Sequence, residues 1–571
     1  MGPAVVRLAP AALAAVAFIL SARADEPLIP ALGLVAVLLS SAVVQERVAE
    51  RLERITVGAR RRIRASLELE ATRARGEESE RVVPEAIRPG EEILIEAGDV
   101  VPVDGAVVSG QAIVWPWPDA RDTTEVQQGS RLLAGATVQR GRLRVVCTAS
   151  GAERTLAVLV QHGKGRLDRS LPAARFAERL GLQGAPLVGA LLGSTAFLLG
   201  ASTPQALGVW AATWGALSGA LLLHLPAELG ARRLASLGRS GIFFPSAGML
   251  DMAGQVSVVV LCARGTILHG EPEVAEVEAL REATLERVLA LAAGAESVVP
   301  HPIASAVLRA AEARRLTPDA SRHHHVVTGL GVLCVSSRGA PVVVGSRELL
   351  LRERISIAVA EETLRKYESQ GKTALLVAED EHLLGVLALI DGLRPGARAM
   401  IQQLSEAGFE PVLLSGDSRQ TSEAVGRALG VEHLRPEIPA TERGLEVGRL
   451  AEGGAVVAVV GRTGFDDSAL HAAKVPLVLG LPSVSTRDRA ISVCGEQPLQ
   501  AARALVEAQA LRHETWMGLL FSVVPAALAS VAVASLLLPA SFAPLLAAVA
   551  AGITAVVLLR RSASNDPGRQ L

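Results

Sequence analysis

Six apolar stretches, at about 8–22, 28–44, 184–201, 207–225, 517–538 and 542–559, constrain this 571-residue chain more than any other feature. Roughly 20 apolar residues of helix cross the hydrocarbon core of a bilayer, and most of these stretches reach or approach that length. They fall into three close pairs, linked by Arg23 to Pro27, Ala201 to Ala206 and Pro539 to Phe542. Tight links between apolar segments predict helical hairpins. The long segments between them, 45–183 and 226–516, must then share one side of the membrane. Arg47, Arg51, Arg54 and Arg60 to Arg64 follow the second stretch, Arg232, Arg233 and Arg239 the fourth, and Arg560 and Arg561 the sixth, while the hairpin tips carry almost no such charge. The positive-inside rule therefore places both large segments and both termini in the cytoplasm, with a bacterial cytoplasmic membrane as the expected location. A competing reading makes residues 1–25 a cleaved leader, with Arg7, an apolar centre and small residues before Ala24. It would leave an odd number of spans and the two Arg-rich loops would then sit badly, so six spans is the expectation carried forward.

Composition excludes several classes. A net charge of -1 and 3% aromatic residues offer nucleic acid neither an electrostatic footprint nor a stacking surface. Cys147, Cys262, Cys334 and Cys494 are scattered without Cys-x-x-Cys spacing, which argues against both a disulfide framework and a zinc site. His323, His324 and His325 are adjacent. In an extended strand neighbouring side chains point to opposite faces, so three in a row make a poor metal site, and a surface turn is the better expectation.

Residues 82–165 read as short strands separated by glycine turns, as in EEILIEAGDVVPVDG (91–105) and LLAGATVQRGRLRVVCTA (132–149). From about 254 the pattern changes. Apolar runs VSVVVLC (256–262), ALLVAE (374–379), EPVLLSG (410–416) and AVVAVVG (455–461) alternate with helical stretches. That alternation predicts a doubly wound parallel sheet with its site at the carboxyl ends of the strands, interrupted after its first strand by about 100 residues, 270–370.

On these motifs the chain resembles the P-type ATPase family, in its heavy-metal (P1B-like) branch. GDVVPVDG and AGATVQRGRL are similar to the family's actuator domain, and Ser415-Gly416-Asp417 and Asp391 with Arg394-Pro395 to its phosphorylation-domain motifs. The resemblance implies a membrane α-helical protein of six spans, a cytoplasmic β actuator-like domain, and an α/β HAD-like phosphorylation domain with an inserted α+β nucleotide-binding-like domain. The expected boundaries are 1–45 for the first hairpin, 46–183 for the actuator-like domain and 184–225 for the second hairpin. The phosphorylation-like domain takes 226–267 and 373–510, the nucleotide-binding-like domain 268–372, and the third hairpin and tail 511–571.

The family's catalytic positions are degenerate. Its strand ends in Asp-Lys-Thr-Gly-Thr, and its Asp receives phosphate; here stand Cys262, Ala263, Arg264, Gly265 and Thr266. A thiol lacks the carboxylate oxygens that take phosphate and share Mg²⁺. The family's Gly-Asp-Gly-x-Asn-Asp reads Gly461-Arg462-Thr463-Gly464-Phe465-Asp466, with Arg462 where a metal-binding Asp is expected. The phosphate-contacting Lys is missing near Glu442 and Arg443. Asp122 falls on the actuator loop, either as a shortened carboxylate or within a repacked, two-proline loop. Glu296, His301-Pro302, Gly329-Leu330-Gly331 and Gly345 match the branch's adenine-nucleotide residues in order and spacing, and read either as a site for ATP or ADP or as turn and packing residues. The branch's metal-binding motif of the fourth span falls on Leu217, Ser218 and Gly219, which carry no thiolate, and His224 is expected at the membrane boundary.

The expected function is a P-type ATPase-like integral membrane protein that is catalytically inactive, a pseudo-pump. It would retain nucleotide binding, have no use for Mg²⁺ or a transported metal site, and act by regulation or by pairing with a protein partner. The alternative is a divergent but active heavy-metal cation transporter. A phosphatase on a membrane anchor fails on the missing Asp nucleophile.

Overall fold

The computed structural model describes residues 71–564 apart from 76–77, 119, 121–122, 158–170, 218–219, 481–484, 487, 496 and 541. It divides into two units, Met1–Gln255 with Arg487–Arg489 and Ala504–Leu571, and Val256–Thr486 with Ala490–Arg503.

The first unit opens with an antiparallel sheet of seven strands: β1 (Ala71–Arg75), β2 (Glu78–Val82), β3 (Glu92–Ile95), β4 (Asp104–Trp115), β5 (Thr124–Val126), β6 (Arg131–Leu132) and β7 (Thr137–Ala149). They lie in the order β2-β1-β3-β7-β4-β5, with β6 also on β4. Alternation along the strands sends Ile93, Ile95, Val107, Val114, Val138, Leu143 and Val145 into one core. The long β4–β7 pair is bulged between Val107 and Ser109, and Gly110 and Gly141 sit where the two backbones press together. A β-carbon on Gly110 would stand 2.2 Å from the Arg142 carbonyl oxygen. Asp104 is buried and accepts from the Ala134 N–H at 2.7 Å and the Thr155 N–H at 2.6 Å, tying together two loops that no ladder holds.

The apolar helices follow. Pro172–Arg179 runs through a π-helical turn, Leu180–Gly184, into Ala185–Leu198, which turns back into Thr203–Leu217. Gly189 and Gly193 let these two helices touch: β-carbons there would meet the Trp210 and Ala206 carbonyl oxygens at 2.8 and 2.7 Å. Beyond lie Ala220–Arg239, Ala247–Ala253, a two-residue strand β8 (Ile242–Phe243), Pro498–Ala534 and Phe542–Ser564. Among the described residues one helix, Pro498–Ala534, is long and apolar enough to cross a membrane, and Ala185–Leu198 and Phe542–Leu558 are shorter apolar helices. The described residues thus do not show six spans. The first two lie outside the described residues, and the fourth contains residues 218–219, which also lie outside them, between Thr203–Leu217 and Ala220–Arg239. Below the apolar part of Pro498–Ala534, Arg233 pairs with Glu507 and Glu514, and Arg512 pairs with Asp251 at 3.0 Å.

The second unit contains the parallel sheet: β9 (Val258–Cys262), β16 (Glu410–Leu414), β17 (His433–Arg435), β18 (Val457–Gly461), β19 (Val475–Leu479) and β20 (Ile491–Val493), in the order β17-β16-β9-β18-β19-β20. β9 lies between β16 and β18, with Leu414 beside Cys262 and Val459 beside Val260. Both faces are buried, hence the continuous Val and Leu runs. After β9 comes a six-stranded antiparallel sheet: β10 (Glu273–Ala279), β11 (Arg322–Val327), β12 (Gly331–Val335), β13 (Pro341–Gly345), β14 (Thr373–Glu379) and β15 (His382–Ile390), ordered β10-β15-β14-β13-β12-β11. Helices Leu285–Glu296 and Pro302–Ala313 cover one face. ALLVAE, expected in the parallel sheet, is β14 and pairs antiparallel with β13 and β15, so the inserted sheet runs on to Ile390 rather than ending at 372. Its two buried faces give it the apolar run of a parallel strand, and only pairing separates the two cases. The three histidines lie on the edge strand β11, not in a turn: the strand is bulged between Arg322 and His325, and His323 has φ 55°.

Asp104→Ala strands two buried N–H groups, each costing about 1–3 kcal/mol. Trypsin should then cleave the β1–β7 sheet of the full chain at a lower temperature than in wild type, while the Val256–Thr486 unit keeps its resistance.

Candidate functional site

The carboxyl ends of β9, β16 and β18 bring together Cys262, Arg264, Ser415, Asp417, Arg443, Arg462 and Asp466. The backbone turns sharply after β9: Ile267 and Leu268 N–H groups both bond to the Ala263 carbonyl, and Gly265 takes φ 80°. Asp391 holds the far side of this loop, its two oxygens each 3.1 Å from the Gly270 N–H, and the Arg394 N–H bonds to the Ile267 carbonyl. The Asp-x-x-Arg-Pro segment thus fastens the loop whatever the chemistry.

Cys262 is completely buried. Burial and the neighbouring Asp466 charge push its thiol well above the usual range, and it hydrogen-bonds to Asp466. A neutral buried thiol is a poor nucleophile. Asp466 is also 0% exposed; it accepts from the Arg462 backbone N–H at 2.9 Å and is ion-paired to Arg443. Burial raises its carboxyl, with the Arg443 charge opposing. The cation expected to be missing near residue 443 is therefore supplied in kind. The Arg443 guanidinium lies between Asp466 and the backbone at Gly416, 3.7 Å from where a β-carbon on Gly416 would stand.

Asp417 is held by a second guanidinium. Arg264 Nη2 donates to its Oδ1 at 2.5 Å and to Thr373 Oγ1 at 3.1 Å, and the Thr373 and Ser415 hydroxyls both donate to Asp417 at 3.0 Å. Burial pushes this carboxyl up, but the Arg264 charge and these hydrogen bonds outweigh it and hold it below the usual range. Ser415 Oγ also accepts from the Asp417 N–H at 3.1 Å, so the hydroxyl expected to touch phosphate is already committed. The donor set does not fit a divalent cation. Its two fully enclosed carboxylates face guanidinium groups, and Arg462 stands at the third position.

The inserted sheet carries the nucleotide candidates. Glu296 ends its helix at 4% exposure, and its carboxyl is pushed up to about 7 by burial. His301 caps the next helix, its Nδ1 accepting from the Ile303 N–H at 3.2 Å. The chain between them is folded tightly by Val299 N–H to the Glu296 carbonyl and His301 N–H to the Val299 carbonyl. Gly331 and Gly345 are paired across β12 and β13, and a β-carbon on Gly331 would lie 2.2 Å from the Val344 carbonyl oxygen. These two glycines are required by the sheet with or without a ligand. Gly329 takes φ 80° in the turn before them. Glu296 and His301 remain as the candidates that no such backbone contact explains.

Asp122 lies outside the described residues, as do Ser218, Gly219 and the side chain of His224. Trp117 of the same actuator loop is buried, its indole donating to the Arg239 carbonyl at 3.1 Å. Among the described residues no group of three His, Cys, Asp or Glu side chains is placed to hold a metal ion. Sequence reasoning missed the roles of Arg264, Thr373 and Arg443 as partners of Asp417 and Asp466. Spacing carries no signal for pairs 153 and 23 residues apart.

The folded Glu296 value lies above the ~4.3 of an unfolded chain, so the stability it contributes is present at low pH and is lost as pH rises through about 7. Protection of helix Leu285–Glu296 against hydrogen exchange, corrected for intrinsic rate, should fall between pH 5 and 8. Glu296→Gln should flatten that dependence, a difference of roughly 3 kcal/mol.

The chain matches the model of the P-type ATPase actuator domain over 65–164 and that of haloacid dehalogenase-like hydrolases over 258–451. It is 30% identical over 420 residues to the probable copper-exporting P-type ATPase V of Mycobacterium tuberculosis, covering 70% of this chain and 53% of that protein. It is 28% identical over 425 residues to the manganese-exporting P-type ATPase of Mycobacterium bovis, covering 72% and 57%. It thus spans little more than half the length of the curated relatives it matches. A crystal structure of a zinc-transporting PIB-type ATPase shares its fold, with a TM-score of 0.50 and 22% identity over 96% of this chain and 89% of that one. With actuator and hydrolase domains in the same order along one chain, the protein belongs to the P-type ATPase family.

Proposed function

We propose that this chain is a membrane protein on the plan of the heavy-metal exporters whose cytoplasmic site does not form an aspartyl phosphate. The names of the relatives pull the other way. They are copper and manganese exporters, which favours a divergent, active cation transporter, and nothing in those names speaks for an inactive protein. The relatives likewise lend no support to the absence of Mg²⁺ or to a regulatory protein partner. We follow the residues because phosphoryl transfer depends almost wholly on the positioned groups at one site. The carrying observation is Cys262: the end of β9 offers a buried neutral thiol, and the nearest carboxylates, Asp417 and Asp466, are committed to Arg264 and Arg443.

The inserted sheet supports a separate role in binding adenine nucleotide, by Glu296 and His301, with Gly329 shaping the turn before β12. With so few polar contacts, affinity should be weak, in the range of ~0.1–1 mM.

Incubating the purified protein with γ-labelled ATP and copper, zinc or manganese should yield no hydroxylamine-sensitive phosphoenzyme and no metal-stimulated hydrolysis. Cys262→Asp alone should restore neither, since Arg462 and the two ion pairs remain. Metal-stimulated turnover in wild type, or a phosphoenzyme abolished by removing one carboxylate, would establish the active transporter instead. His301→Ala should weaken ATP binding several-fold by isothermal titration; an unchanged affinity would leave Glu296 and His301 as structural residues.

A further inference from the structure

We propose that the outward face shared by helix Pro172–Arg179 and the middle of helix Pro498–Ala534 binds an anionic phospholipid, its headgroup on Arg175 and Arg179. This requires the chain to lie in a membrane, and it holds whether or not an aspartyl phosphate forms. Ala173, Ala174 and Ala177 are the buried face of the shorter helix, and Ala173 and Ala177 pack on Leu519 of the longer one. Arg175, Phe176 and Arg179 are left exposed on its other face. The two arginines are one turn apart, so their side chains are neighbours. Neither has an ion-pair partner among the described residues. Against them this helix sets one carboxylate, the half-buried Glu178. Glu507 and Glu514 of the longer helix are turned in to the buried Arg233, and Arg512 is paired with Asp251. The exposed helix face thus carries a surplus of one positive charge.

An aromatic layer and then an apolar one follow the arginines. The Phe176 and Trp516 ring centres stand 5.7 Å apart, and the two side chains are 45% and 37% exposed. Half-exposed aromatic rings beside cations suit the headgroup boundary of a bilayer. His513, one turn before Trp516, is exposed as well. Past the rings the exposed residues become Leu187 and Leu191 on the one helix and Leu520 and Val524 on the other. Both helices run from charged into apolar sequence, so guanidinium, ring and leucine follow the order of phosphate, glycerol and acyl chain in a lipid. The change falls at the π-helical turn Leu180–Gly184, an irregularity that recurs at functional sites. Its Gly181 carbonyl accepts from the Trp214 indole at 3.2 Å, which fixes the arginine-bearing helix in place. Guanidinium forks match phosphate oxygens, and they repel the ammonium group of a zwitterionic choline headgroup. A soluble anion would use the arginines alone and leave the rings and leucines without a partner.

The full-length protein is reconstituted in phosphatidylcholine nanodiscs that contain either brominated phosphatidylglycerol or, at equal mole fraction, brominated phosphatidylcholine, and quenching of tryptophan fluorescence is read. Subtracting the Trp516→Phe variant isolates the signal of Trp516. One surplus positive charge at a bilayer surface should favour phosphatidylglycerol about fivefold. Arg175→Gln with Arg179→Gln should bring the two lipids level. Arg175→Lys with Arg179→Lys should keep most of the preference, since the charge is retained. Equal quenching by both lipids in wild type, or a preference that survives the glutamine pair, overturns the site. Quenching by neither lipid means that protein covers Trp516, either a second copy or another segment of this chain, and overturns it as well. Flotation with phosphatidylcholine vesicles tests the membrane placement separately. A chain that does not float sinks that placement, whereas one that floats without lipid preference sinks only the site.

Discussion

The buried Arg443–Asp466 ion pair is the interaction on which the parallel-sheet site depends. Asp466 is sealed behind β9 and β18, where an unpaired carboxylate would be costly, and leaving it without its partner costs about 3–5 kcal/mol. It also accepts the Arg462 N–H, shaping the turn after β18, and touches the thiol of Cys262. One carboxylate thereby joins the ends of β9 and β18 to the start of helix Arg443–Glu452. The geometry familiar from phosphoryl-transfer sites survives here as an internal salt bridge, independent of any phosphate.

The Arg264–Asp417 pair repeats this on the β16 side. Thr373, the first residue of β14, donates to the same carboxylate, so the inserted sheet is stitched to the parallel sheet beside the loop after β9. Guanidinium groups do by pairing what a metal ion does by coordination, which is to neutralise clustered carboxylates at a sheet edge.

Elsewhere the structure separates residues kept for shape from residues open to ligands. Gly331 and Gly345 belong to a close backbone approach, and Asp391 and Arg394 fasten a loop. Each also matches a family motif, so a motif match alone did not discriminate between the two uses. Glu296 differs. It is buried at a helix end, and that burial raises its proton affinity.

The sequence by itself determined the domain order, the β domain, the alternating parallel sheet and the loss of a carboxylate at position 262, because these follow from local periodicity and residue identity. It also placed apolar helices near 184–201, 517–538 and 542–559, though not their lengths. Helix ends depend on packing: Pro498–Ala534 begins some 19 residues before its apolar part. Only the tertiary structure decided that ALLVAE joins the antiparallel sheet, that the histidines lie on an edge strand, and which arginine neutralises which aspartate. Those outcomes depend on partners far apart in the chain, and a buried charge is satisfied by whatever the fold brings within a few ångströms of it, a distance that no spacing along the sequence encodes.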